Sequence, residues 1–182
     1  GSGMTLQELL TAVLQQLDRS TDAQTLETWR DKLTRYLNDA MVDLSGAVQP
    51  RRTETVSITG GAIDLTLLER PLVKAVALAR GGARLPFYYG AGTHLLHVPG
   101  VPDGAAELTY RYMPRMLAAD TDVPDLPEYS HGALVTYAVA RERAAGDAAA
   151  AAQAGFALYQ QMRRALRAHS GELDAYRIEN AY

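Results

Sequence analysis

The most constraining feature of this chain is that its hydrophobic period changes twice. Leu6, Leu9, Leu10, Val13, Leu14 and Leu17 recur at helical spacing, as do Leu26, Trp29, Leu33, Tyr36, Leu37, Ala40, Met41 and Leu44. After Gly46 the period falls to that of a strand. β-prone segments follow at 53–58, 63–65, 72–79, 83–89, 93–98 and 106–112. Gly60-Gly61 and Gly81-Gly82 suit tight hairpin turns, because glycine tolerates positive φ. The helical period then returns. His131, Leu134, Val135, Ala138 and Val139 share one face, and Ala148, Ala152, Gly155, Tyr159, Met162 and Leu166 alternate steps of four and three.

The expected fold class is therefore α+β: a four-helix core of two N-terminal and two C-terminal helices with an inserted antiparallel β sheet or small barrel. A meander is expected, since a parallel sheet would need crossover helices. The divisions are 4–46 and 113–170 for the helical core, 47–112 for the inserted β region and 171–182 for a C-terminal tail. Local signals sharpen the ends. Thr5 with Glu8, and Asp125 with Glu128, read as capping boxes. Gly146 ends the third helix, Asp147 caps the fourth, and Gly171 is placed to stop it. Gly1-Ser2-Gly3 ahead of Met4 reads as an expression remnant.

Composition narrows the function classes. With no cysteine, disulfides, zinc-thiolate sites and thiol nucleophiles are excluded. No apolar run approaches the roughly 20 residues of a membrane span, and no signal peptide is expected. A net charge of −3 is unlike a general nucleic-acid binder. Charge is uneven: residues 5–45 carry four basic against seven acidic side chains, while residues 147–170 carry Arg163, Arg164 and Arg167 against Asp147.

Catalytic motifs do not emerge: there is no G-x-S-x-G, Walker loop or H-E-x-x-H. His94 and His97, three apart on a strand, point to opposite faces and do not make a shared metal site. His131 is expected to pack or hydrogen-bond rather than act as a base. His169 and the three arginines suit the C-terminal dipole of the fourth helix, although the arginines also suit an acidic partner. Asp120, Asp122, Asp125 and Glu128 fail as a calcium loop, because Pro124 takes a ligand position and the required glycine is missing. No cofactor is expected. Ten tyrosines against two phenylalanines suit surfaces that become buried on assembly.

The stretch Tyr112-Met113-Pro114, Leu117, Asp120 through Tyr129 and His131, followed by a tyrosine- and alanine-rich helix, Gly146-Asp147 and an alanine-rich helix, resembles the C-terminal half of tailed-bacteriophage head-to-tail adaptor (connector) proteins. Asp64-Leu65, Val73, Val76, Gly81-Gly82 and Leu85 are compatible with the N-terminal half. The resemblance covers most of residues 5–169. It implies a non-enzymatic structural protein of the virion neck, assembled in the host cytoplasm. It further implies a ring, twelve-fold in the virion, that docks beneath the portal protein and presents a platform to a tail or stopper protein. DNA would pass through its channel without sequence-specific binding, which an acidic lining would suit. The isolated chain is compatible with a monomer. In the tail, Leu173, Tyr176, Ile178 and Tyr182 are apolar where a terminus would ordinarily fray. With Arg163, Arg164 and Arg167 they are the expected contacts to the portal or a neighbouring subunit; the tail folding back on its own helices is the alternative. A bacterial ligand-binding or regulatory module with a small β-barrel pocket is the competing class.

Overall fold

A computed structural model describes residues 3–180, with side chains described as far as residue 171. The fold is α+β, four helices with an inserted pair of antiparallel sheets. It divides into two compact units: residues 1–49 with 114–182, and residues 50–113.

In the helical unit, α1 (Leu6–Gln16) opens with the expected capping box. The Thr5 hydroxyl accepts from the Glu8 N–H, and the Glu8 carboxylate accepts from the Thr5 N–H. α2 (Ala23–Val48) starts on Asp22, whose carboxylate accepts from the Thr25 N–H at 2.8 Å. It runs through Gly46 and ends where Gln49 turns left-handed (φ 52°), with Pro50 unable to continue it. α3 (His131–Ala145) is buried on most sides, at His131, Ala133, Leu134, Val135, Ala138, Val139 and Ala140, because α1, α2 and α4 all pack against it. α4 (Ala149–Asn180) completes the bundle. Leu33 and Leu37 are fully buried in the shared core, and Trp29 lies partly buried against it, flanked by Arg19 and Lys32 at 4.2 and 4.3 Å.

The seam of α4 forms as its spacing predicts. Ala152 and Tyr159 are buried, and Met162 and Leu166 pack against the core. Gly155 lies so near α3 that a Cβ there would stand 3.0 Å from that of Ala140, so the small residue sets the helix spacing.

Three local expectations fail. Asp125 does not cap α3; its carboxylate accepts instead from the Arg115 N–H at 3.0 Å, and a short 3-10 turn at Glu128–Ser130 leads into the helix. Ala148, not Asp147, supplies the first carbonyl of α4, accepting from Ala152. Gly171 does not stop α4, whose backbone stays helical to Asn180. A glycine costs a helix about 1 kcal/mol against alanine, which the good helix formers Glu172, Leu173 and Ala175 offset. The three arginines and His169 therefore lie inside a long helix, and the reading of them as dipole complements at its end is withdrawn.

In the β unit, β1 (Arg51–Ile58), β3 (Leu72–Arg80), β4 (Ala83–Arg84) and β7 (Gly104–Tyr112) form one sheet in the order β1-β7-β3-β4. The second sheet, β2-β6-β5, is made by β2 (Ala62–Asp64), β5 (Tyr88–Tyr89) and β6 (Leu95–His97). All pairings are antiparallel. Both Gly-Gly pairs take positive φ, as their hairpins require. The order is not that of a simple meander, for β7 returns to lie between β1 and β3. Pro71, Pro86, Pro99 and Pro102 punctuate the connections and keep the local hairpins short, leaving the long strands to pair with each other. Val56, Ile58, Ile63, Leu78, Leu96, Val98, Leu108 and Tyr110 make this unit's own core.

Candidate functional site

The residues with chemical capacity are largely occupied by their own chain. His131 is buried, and both ring nitrogens are engaged. Nδ1 accepts from the Met4 N–H at 3.3 Å, which leaves Nε2 to donate to the Leu126 carbonyl at 3.0 Å. The histidine thus ties the start of the chain to the segment ahead of α3. His94 lies 3.8 Å from Asp64, and His97 stacks on Tyr88 at 5.0 Å.

The acidic segment works as a structural clasp. The Asp122 carboxylate accepts from the Ala119 and Ala118 N–H groups at 2.8 and 2.9 Å, and these hold its pKa below the ordinary aspartate value of 3.8. The Asp122 and Asp120 carbonyls accept from the Leu6 and Gln7 N–H groups at 2.7 and 3.1 Å, satisfying donors that the first turn of α1 leaves open. Arg30 pairs with the Asp120 carboxylate and donates to the Ala118 carbonyl at 2.6 Å. Among the described residues, no group of three or more histidine, aspartate or glutamate side chains is placed to hold a metal ion.

The three arginines separate. Arg163 Nε donates to Asp43 at 3.1 Å, and Asp43 also accepts from the buried Tyr159 hydroxyl. Burial, together with the Asp43 carboxylate, drives the Tyr159 pKa well above its ordinary value. Arg163 thus joins α4 to α2. Arg164 and Arg167 are exposed. On another face of α4, Met162, Ala165, Leu166 and His169 line an open, mainly apolar groove of about 460 Å³ with Tyr129 and Ala133. Tyr129 is 47 % exposed there, its ring edge-on to His169 at 4.8 Å. Spacing within α4 pointed to the seam but not to this groove, because Tyr129 comes from the segment ahead of α3. The side chains of Leu173, Tyr176 and Ile178, and the whole of Tyr182, lie outside what the structure describes.

The model of a family described as SU10 adaptor protein matches residues 4–178, a span that takes in both units. The chain belongs to the SU10 adaptor protein family. It is thereby a phage adaptor protein, in keeping with the resemblance carried by residues 112–131. A search of curated proteins returns no match. No helix among the described residues is long and apolar enough to cross a membrane.

Proposed function

We propose that this chain is the ring-forming structural adaptor of a tailed phage, docking under the portal protein and joining the DNA-filled head to the tail. The match to the adaptor family over residues 4–178 carries the reading, since it includes the β unit as well as the helices. The role is architectural, not catalytic: His131, Asp122 and Arg163 all serve intrachain contacts. The ring sits in the virion neck, twelve-fold, and DNA passes through its channel without being read. The β unit serves neighbouring subunits or the next tail component.

On the helical unit, the portal-facing contacts are Arg164 and Arg167 with the apolar positions Leu173, Tyr176, Ile178 and Tyr182. The exposure of Arg164 and Arg167 supports this, and the groove at Tyr129 and Leu166 offers apolar surface on a different face of α4. Arg163 contributes through its hold on Asp43 and so orients α4.

Electron microscopy of the chain mixed with its virus's portal protein tests the proposal. A ring of added density beneath the portal is expected; a chain that stays unbound overturns it. Truncation after His169 tests the contacts. The shortened protein should keep its melting temperature and lose portal binding. Normal binding after truncation removes the C-terminal positions from the interface.

A further inference from the structure

The hairpin that joins β1 to β2 closes for a single rung. Thr59 and Ala62 exchange both backbone hydrogen bonds, at 2.9 and 3.2 Å, across the Gly60-Gly61 turn. A continuing hairpin would pair Ser57 with Asp64 next, but the strands part there: β1 pairs with β7, β2 with β6, and neither pairs with the other beyond that rung.

The Thr59 bonds fix which way the other backbone groups point. Along a strand, successive N–H and C=O groups alternate sides. Thr59 bonds toward β2, so Ser57, Thr55 and Thr53 also present theirs toward β2. The Pro50 carbonyl, of opposite parity, accepts from Tyr112 beside β7, as this alternation requires. On β2, Ala62 and Asp64 face β1, while the odd-numbered Gly61 and Leu65 bond to Val98 and His94 on the other side.

Between the two edges runs a half-open slot of about 560 Å³. Consecutive β1 residues Glu54, Thr55, Val56 and Ser57 line it and none from β7 does, so it follows the edge of the strand and not a face. The opposite edge of the same sheet is closed. β4 covers Ala79 and Arg80, the Leu85 N–H donates to the Leu78 carbonyl at 2.8 Å, and the Tyr89 hydroxyl accepts from the Ala75 N–H at 2.8 Å. Exposed edges are ordinarily guarded in this manner because they recruit strands.

We propose that the slot between β1 and β2 is a strand-addition site for an extended segment of another protein, one that alternates apolar residues with a lysine or arginine. Main-chain donors and acceptors on both walls select an extended backbone. Leu67, 80 % exposed, and Leu68 and Ile63 supply apolar lining. The charged residues lining the slot are Glu54 and Asp64, with His97 beside them and no lysine or arginine. Glu54 is held by Arg52 and the Tyr110 hydroxyl, while Asp64 uses Oδ1 to accept from the Thr66 N–H and hydroxyl at 3.0 and 2.6 Å, with His94 at 3.8 Å, so Asp64 Oδ2 is the carboxylate oxygen that a basic residue would meet. A strand seated there would join the two sheets into one.

The inference deepens the adaptor reading, on which the partner's place in the neck rests, but its test needs no portal. The isolated chain is titrated with the acetylated, amidated peptide Val-Lys-Val-Thr-Val-Lys and followed by amide NMR and hydrogen exchange. The amides of Thr53, Thr55, Ser57 and Asp64 should shift, with a dissociation constant at or below about 1 mM, and become protected. Thr55→Pro, which removes one slot-facing donor and no bond to β7, should abolish the effect, and Thr55→Val should retain it. Absent or scattered shifts overturn the proposal, as does undiminished binding by the proline variant. Protection of the same amides that grows with protein concentration before peptide is added would assign the slot to a second copy and overturn the proposed partner. If the peptide binds while the portal does not, the slot stands and the adaptor reading falls.

Discussion

The side-chain amide of Asn38 grips the backbone of Leu117 from both sides, donating to its carbonyl at 3.1 Å and accepting from its N–H at 2.7 Å. Through this pair α2 holds the proline-bearing segment that leads to α3. Leu117 is buried, so its peptide group has little access to water as a substitute partner. Asn38→Ala should cost about 1–3 kcal/mol, mostly through the stranded backbone groups. Chemical denaturation measures the loss, and hydrogen exchange should show the Leu117 amide released.

Gly155 and Ala140 set the approach of α4 to α3. Gly155→Val forces two γ-methyl groups into a contact already tight for a Cβ, and should destabilise the helical unit by about 1–3 kcal/mol. Leu158→Val, at a half-exposed position on the same helix, should change the melting temperature much less.

The Asp122 clasp is sensitive to acid. Its folded pKa lies below 3.8, so the stabilisation is complete above that value and is lost as pH falls through the lower folded pKa. Amides of Ala118 and Ala119 should lose protection in that range. Asp122→Asn should show weaker protection at neutral pH and a flatter acid response.

Tyr110 carries the opposite sign. Burial, followed by its hydrogen bond to Glu54 and the charge of that carboxylate, raises its pKa to about 12. The raised value favours the protonated phenol in the folded state, so the stabilisation is full below the ordinary value of 10 and disappears as pH climbs from 10 toward 12. Ultraviolet titration should find two tyrosines ionising late, Tyr110 and Tyr159, with β-sheet signal lost alongside Tyr110. In Tyr110→Phe one of the two late ionisations and the loss of β-sheet signal should vanish.

Because the β unit has a core of its own, replacing residues 51–112 with a short flexible linker should leave a folded helical protein. Circular dichroism with a cooperative thermal transition checks this. A variant without helix would show that the helical unit depends on the insertion.

Most of the helical plan was legible because it depends on short-range spacing. Leu33 and Leu37, Thr5 with Glu8, and the α4 seam each reveal themselves within a few residues. The Gly-Gly turns were legible for the same reason. Other features depend on partners far along the chain. Asp125 has the composition of a cap, yet Arg115 claims its carboxylate. Asn38 meets Leu117 across 79 residues, and β1 meets β7 across some fifty, so no local pattern marks either. Gly171 looked like a stop because glycine usually ends helices, but flanking helix formers outweigh one glycine. The groove near Tyr129 was hidden because it draws on two elements that are distant in sequence.

The β1–β7 ladder also has a mechanical consequence. Arg51 pairs with Arg111, and the Tyr112 N–H donates to the Pro50 carbonyl at 3.1 Å, so the strands by which the chain enters and leaves the β unit lie side by side. A pull on the β unit against the helical unit loads both strands in the same direction and divides the force between two covalent tethers. It does not peel the ladder open, which would require tension between entry and exit. The unit can therefore bear load against the helical unit while its own sheet stays zipped.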